Sequence, residues 1–499
     1  MSVAVKISRV SFREYSFRLS SRDGIRYVVR ALTFDNPSPF AYSRKIEKFD
    51  RRKLTFPVGM LPTLIEDLTR RKITYELTDW EWDWPEGVEI DGRLTGDYEH
   101  QSEAVRAFMK RHIGIIVVPT RGGKTFIASE IIRIWLATES SGQLLFCVDN
   151  TTLFTQAVDD IRKYFSAYGG IDIGEIRAGY ADLTKRVTVG MIQSIQSLLS
   201  ARNKDTAKKK EMERFLKGLN FLCVDEVHDN CSDSKLKLYR KCRNLEYQLC
   251  LSATPYRTGA FVQNLKLRAW SGDVVYEISE DVLRERGVLS DYKVFMLLID
   301  HNSMDYPELD EYDYADCRRK LIFENRFRND ILGAVIRLFQ KLELKTLVLF
   351  QSVEHGRAVS EAMGIPFLSG ESTAAEREAE KNKFLAVERG GVLLASNIFK
   401  KGVTLPQVEV LLNADEGLED ANTIQRKGRT LGATATKKRS LVVDFFDFYD
   451  AYLSEHSEAR LNTYVEAVGE DKVGIIDVSA DGWLKLLEKW CRAWFGKAE

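Results

Sequence analysis

Gly114-Ile115-Ile116-Val117-Val118-Pro119-Thr120-Arg121-Gly122-Gly123-Lys124-Thr125 reads as an apolar strand that runs into a glycine turn, with a helical pattern over 126–136 directly behind it. A strand that is apolar at every position is covered on both faces, the condition of a parallel sheet flanked by helices. Outward from this stretch the same rhythm repeats. Apolar runs at 144–148, 187–189, 221–224 and 248–251 alternate with helical patterns, and a second series follows at 345–350, 391–395, 408–412 and 441–443. Two tandem α/β domains are expected, at 96–285 and 286–450.

The glycine turn also carries chemistry. Backbone N–H groups of Gly122 and Gly123 can converge on phosphates at a helix N-terminus. Lys124 would hold the β- and γ-phosphates of ATP, and Thr125 would ligate Mg²⁺. Thr120 belongs to the same loop, and Val118 stands where the general pattern has its first glycine. The run Phe221-Leu222-Cys223-Val224-Asp225-Glu226-Val227-His228 is a second apolar strand, ending in two carboxylates. Asp225 would bind Mg²⁺ and Glu226 would polarise the attacking water, the division of labour phosphoryl transfer needs.

Asp225-Glu226-Val227-His228 resembles the DExH box of superfamily 2 helicases, and further motifs of that family follow in its order. Gln101 matches the glutamine that reads adenine. Thr151-Thr152-Leu153 and Gly190-Met191-Ile192-Gln193-Ser194 resemble segments that contact the nucleic-acid backbone, which implies binding roles for Thr152, Gln193 and Ser194. Ser252-Ala253-Thr254 matches the segment that couples hydrolysis to domain movement, so coupling is expected through His228, Ser252, Thr254 and Gly402. Ser396 and Asn397 fall in the fifth motif and are expected on nucleic acid. Gln425-Arg426-Lys427-Gly428-Arg429 resembles the sixth, which implies that Gln425 and Arg429 are catalytic and Arg426 lies near ATP. The family's further arginine is replaced here by Gly432.

The resemblance implies two RecA-like parallel-sheet motor domains, and within the superfamily the chain is most similar to the phage UvsW-type and XPB-like DNA helicases. The segments Ile278 to Tyr292 and Glu324 to Asp330 are similar to that group. The implied activity is ATP- and Mg²⁺-dependent remodelling of branched DNA: fork regression, Holliday-junction migration and R-loop unwinding, with RNA–DNA hybrid as a further substrate. A duplex translocase without strand separation and an RNA helicase stay open. A monomer in the cytoplasm of a phage-infected or bacterial cell is expected.

Composition bounds the rest. The chain has 499 residues with 73 basic and 73 acidic side chains, so a uniformly polybasic protein is excluded. Residues 1–75 nevertheless carry 16 basic against 7 acidic side chains, a local excess that points to an accessory DNA-binding domain over 1–95, with Arg51, Arg52 and Lys53 as contacts. In that domain the run 26–32 reads as strand and 61–71 as helix. The Trp-rich acidic stretch 79–86 reads as a linker packed on its neighbour. Seven scattered cysteines without a CxxC pair read as core hydrophobes. A helical tail over 451–499 is expected, with Trp483, Leu486, Leu487, Trp490 and Trp494 along one face.

Overall fold

The computed structural model describes residues 5–19, 24–37, 44–94, 96–200, 205–257, 259–303, 314–396, 405, 407–415, 439–449 and 452–496. The chain divides into two units, Met1–Ser279 and Glu280–Glu499.

The first unit begins with six short strands: Val5–Ser11 (β1), Glu14–Leu19 (β2), Thr33–Asp35 (β3), Lys45–Glu47 (β4), Thr55–Pro57 (β5) and Tyr75–Thr78 (β6). They make a mixed sheet in the order β5-β2-β1-β6 and a small β3-β4 ribbon. The run expected as strand at 26–32 is instead part of helix α1, Gly24–Ala31. Its Val28 and Ala31, with Leu32 just beyond its end, recur at helical spacing and join one core with Leu64 and Leu68 of helix α2, Leu61–Arg70. Packing against α2 overrides the weak alternation.

The larger sheet of this unit contains Ile113–Val117 (β7), Leu144–Val148 (β8), Ile173–Arg177 (β9), Tyr180–Ala181 (β10), Val187–Met191 (β11), Phe221–Val224 (β12), Tyr247–Ser252 (β13) and Val274–Glu277 (β14). The order is β10-β9-β11-β8-β12-β13-β7-β14. Every pairing is parallel except β10 with β9. The helices are α3 (Glu99–Met109), α4 (Lys124–Thr138), α5 (Thr151–Phe165), α6 (Ile192–Leu199), α7 (Thr206–Gly218), α8 (Asp233–Tyr239) and α9 (Phe261–Ser271). Cys147, Cys223 and Cys250 are fully buried in the strands, and burial pushes their thiols up.

The small sheet is not detached from the large one. Ile113 and Leu265 share a core with Val5, Ile7 and Phe17. Gly59 lies so close to α9 that a Cβ there would stand 1.8 Å from the Arg268 carbonyl oxygen. The tryptophan stretch seals the join: Trp82 stacks on His112 at 4.3 Å, and the Arg9 guanidinium sits 5.3 Å from Trp80 and from Trp82.

The second unit has Asp291–Asp300 (β15), Thr346–Phe350 (β16), Phe367–Leu368 (β17), Val392–Ser396 (β18), Val410–Asn413 (β19), Arg439–Phe448 (β20) and Val473–Asp477 (β21). They form a parallel sheet in the order β17-β18-β16-β19-β20-β15-β21. The tail therefore supplies more than helices, because β21 pairs with β15 at the sheet's edge. Helix Trp483–Phe495 buries Leu487 and Cys491 and lays Trp490 on Phe295 at 5.0 Å, whereas Leu486 is exposed. No helix among the described residues is long and apolar enough to cross a membrane.

Candidate nucleotide site

Three of the parallel strands, β7, β13 and β12, lie side by side, so the loops at their carboxyl ends come together. The loop after β7 turns through Arg121 at φ 70° and Gly123 at φ 94°, and α4 starts at Lys124. Gly123 is required twice, by its left-handed φ and because a Cβ there would stand 2.1 Å from Gln101 Nε2. Gln101 is buried. Its side-chain amide donates to the Gly122 carbonyl at 3.2 Å, and His100 Nε2 lies 2.8 Å from the same oxygen. In this arrangement Gln101 and His100 brace the phosphate loop from behind. Burial lowers the Arg121 guanidinium to about 10.

After β12 the chain turns sharply. Glu226 adopts φ 44°, a left-handed conformation that costs energy in a side-chain-bearing residue. Two contacts hold it there: the Glu226 N–H donates to Asp225 Oδ1 at 2.9 Å, and Asn230 Nδ2 donates to the Asp225 carbonyl at 2.7 Å. Lys235 reinforces the turn, donating to Asn230 Oδ1 and to Asp149 Oδ1, both at 2.7 Å. Sequence reading missed Asn230 and Lys235; an asparagine four residues beyond Glu226 was the available signal.

The turn aims Glu226 at the phosphate loop, with Lys124 Nζ 3.2 Å from Glu226 Oε1. Burial raises the Asp225 carboxyl above the ordinary carboxylate range, and the neighbouring Glu226 charge adds to the rise against the opposing pull of Lys124. Such a carboxylate is stabilised in its charged form by a divalent cation. Thr125 and Asp225 together offer the hard oxygen donors that suit Mg²⁺, so the residues fit that ion.

His228 links this turn to the end of β13. Its Nδ1 lies 2.9 Å from Ser252 Oγ and 3.4 Å from Glu226 Oε2, and the Thr254 N–H donates to Ser252 Oγ at 3.1 Å. Burial lowers the His228 imidazole, and the Glu226 and Asp229 charges oppose that. A neutral ring results at neutral pH, able to donate from one nitrogen and accept at the other.

The expected nucleic-acid contacts sit on the neighbouring strand ends. Thr152 lies in the first turn of α5, capped by Asn150, and Gln193 is exposed at the start of α6. Strands β8 and β11 that lead into them are directly paired. Ser194 is buried. In the second unit Ser396 ends β18 and is also buried. In the small sheet Arg51 and Arg52 are exposed, as is Lys53. Arg51 pairs with Glu47. Asn397, Gly402, Gln425, Arg426, Arg429 and Gly432 lie outside the described residues.

Comparison with known proteins agrees with this geometry. Residues 96–257 match the family described as Type III restriction enzyme, res subunit, and residues 330–433 match the Helicase conserved C-terminal domain. A Haloarcula marismortui protein named for DNA 3'-5' helicase Rad25 is 27% identical over 69% of this chain and 52% of its own length. The DNA 3'-5' translocase XPB2 of Sulfurisphaera tokodaii is 25% identical over 67% of this chain and 78% of its own. The chain thus spans about half the length of the first of these relatives. Among solved structures, T4 UvsW aligns with 95% of this chain and 99% of its own at 17% identity and a TM-score of 0.44. Dbp5 of S. cerevisiae covers 79% of this chain and 93% of its own at 16% identity and a TM-score of 0.55, a likeness of fold. The chain has two tandem RecA-like parallel-sheet domains, matches the Helicase conserved C-terminal domain over residues 330–433, and is similar in sequence to XPB-type helicases.

Proposed function

We propose that this chain is an ATP-driven DNA helicase or translocase that remodels branched DNA by fork regression, Holliday-junction migration and R-loop unwinding. The observation that carries the reading is the Lys124–Glu226 pair at 3.2 Å, beside a half-buried Asp225 and tied through His228 to Ser252. An ammonium and a carboxylate held together in this way exchange partners when phosphate arrives. Lys124 turns to the β- and γ-phosphates, and Glu226 is released to orient and polarise water. Mg²⁺, held by Thr125 and Asp225, would neutralise phosphate charge. Gly122, Gly123 and Thr120 shape the phosphate cradle, while Gln101 acts on it and on adenine.

His228 senses the state of Glu226 and passes it to Ser252 and Thr254, with Gly402 in the second motor as a further coupling position. Thr152, Gln193, Ser194, Ser396 and Asn397 grip the phosphate backbone. Arg51, Arg52 and Lys53 hold a DNA arm. Gln425 and Arg429 complete catalysis with Arg426 near the nucleotide, and Arg429→Ala should lower kcat by about 10³ to 10⁵ with little change in ATP binding.

The names of the relatives favour DNA. The match of residues 96–257 to a restriction-enzyme subunit favours a second reading, translocation along duplex without strand separation. ATPase measured with single-stranded, duplex, forked and four-way DNA and with matched RNA tests the proposal. Strongest stimulation by forked or four-way DNA, with unwinding, is expected. Triplex displacement without unwinding would select the second reading, and preference for RNA would overturn both.

A further inference from the structure

Away from the nucleotide site, an open groove of about 1120 Å³ runs between the small N-terminal sheet and the large sheet of the same unit. One wall is the stretch Glu47–Arg52. The other is the segment that joins α8 to β13, with Lys266 of α9. The floor is apolar, with Phe56, Leu236, Leu245 and Trp270 all buried. Ser252 and the nucleotide site lie beyond the far end of β13, whose six residues span about 20 Å at roughly 3.3 Å each.

The walls carry seven cationic side chains and three carboxylates. Two of those carboxylates are already engaged: Glu47 pairs with Arg51, and Asp50 accepts the Arg52 and Lys53 backbone N–H groups at 2.8 and 3.0 Å. Lys266 is paired with Asp233 at 2.8 Å. Lys48 on one wall, with Arg240 and Arg243 on the other, make no side-chain ion pair or hydrogen bond among the described residues. Both arginines are exposed. The Lys48 ammonium is lowered by burial and then by the Lys266 and Arg240 charges, with only Asp233 opposing. These cations crowd one another where folding alone would separate or pair them. Thr55 Oγ1 and Arg13 Nε, on two further lining residues, are buried without a hydrogen-bond partner.

We propose that this groove is a second nucleic-acid contact, in which Lys48, Arg240 and Arg243 clamp the phosphate backbone of a duplex arm outside the motor track. The inference rests on the reading of the chain as a DNA motor. The two guanidinium groups on one wall suit phosphate oxygens bidentately, the Lys48 ammonium stands on the other, and a polyanion lying between the walls relieves the repulsion. No helicase motif includes these three residues; the clamp comes from the docking of the small sheet on the first motor.

The test uses the full chain and the triple variant Lys48→Gln/Arg240→Gln/Arg243→Gln, with labelled forked DNA and a matched single strand as probes. Wild-type affinity for the fork should fall steeply with salt. The variant's log–log salt slope should be shallower by about 0.9 for each phosphate it no longer neutralises, while ATPase stimulated by the single strand stays unchanged. The variant Arg240→Lys/Arg243→Lys should keep most of the slope. An unaltered slope in the triple variant, beside intact single-strand stimulation, would overturn the groove and leave the motor reading standing. Displacement of the fork by polyglutamate as readily as by duplex would overturn it in favour of an acidic protein partner. A wild-type chain whose ATPase responds to no nucleic acid would overturn the motor reading, and the groove with it.

Discussion

The large parallel sheets of the two units treat charge at their carboxyl edges in opposite ways. In the first, Lys124, Asp225 and Glu226 remain partly accessible, and Glu226 is held at φ 44°. In the second, three carboxylates at this edge are buried and consumed internally. Asp447 is fully buried, receiving Arg328 Nε at 2.8 Å and Nη2 at 3.0 Å, with His301 Nε2 at 2.9 Å. Asp415 accepts the Gln351 and Ser352 N–H groups at 2.5 and 2.6 Å and pairs with His355. Asp444 meets Tyr464 at 2.7 Å and Arg460 at 3.2 Å. One fold thus yields a sheet that leaves charged groups partly accessible at this edge and a sheet braced from within by buried ion pairs.

The sharpest way to break this contrast is to remove the accessible charges. Lys124→Ala and Glu226→Gln should each lower ATP turnover by roughly 10²- to 10⁴-fold, the range for a positioned acid–base group, without unfolding the chain. Lys124→Ala should also weaken ATP binding, whereas Glu226→Gln should retain it. Steady-state ATPase beside equilibrium nucleotide binding separates the two, and near-normal turnover in Glu226→Gln would falsify its role.

Removing a braced charge should do the reverse. Arg328→Met leaves Asp447 buried without its guanidinium, with His301 as its remaining side-chain partner, and should destabilise the second unit by about 3–5 kcal/mol. Denaturant unfolding reads the loss, and Arg328→Met/Asp447→Leu should recover much of it. A single variant as stable as the wild type would mean that the bracing is ornamental.

Acid probes the same brace. Burial raises the Asp447 carboxyl, but the Arg328 charge and the His301 hydrogen bond outweigh it and hold the group below the usual range. A carboxyl depressed in the folded state contributes stability above its unfolded value and loses it as pH falls. The second unit should therefore weaken below about pH 4. In Asp447→Asn, which retains hydrogen bonding, thermal denaturation against pH should show a smaller acid loss.

The smallest effect concerns the link between sites. Ser252→Ala removes the His228 partner, a hydrogen bond of about 1 kcal/mol. Hydrolysis should stay within a few-fold of wild type while unwinding per ATP falls by about fivefold, a ratio that strand-separation and phosphate-release assays give directly.

How much of this was legible follows from range. The motor strands were visible because runs such as 113–117 and 221–224 are apolar at every position, and the loop chemistry is local to Gly122–Thr125 and Asp225–His228. Residues 26–32 misled because Arg-Tyr-Val-Val-Arg-Ala-Leu satisfies a strand pattern and a helix face alike, and α2, some thirty residues on, decides between them. β21 was missed because five residues without strong alternation become a strand only beside β15. The pairing of Arg328 with Asp447, 119 residues apart, leaves no local trace. The groove is illegible for the same reason, since its walls come from opposite ends of the first unit.

The placement of β15 bears on how the chain is made. It is synthesised at the start of the second unit, yet its neighbours on either side are β20 and β21. An emerging chain can complete the first large sheet once β14 has left the ribosome. The apolar β15 must then wait, unpaired, until β20 has been translated through residue 448. During that interval it is a strand with two open edges, the kind of surface that recruits chaperones or aggregates. Slow decoding across residues 301–438 would lengthen the exposure, so synthesis rate should govern the yield of the second unit more than that of the first.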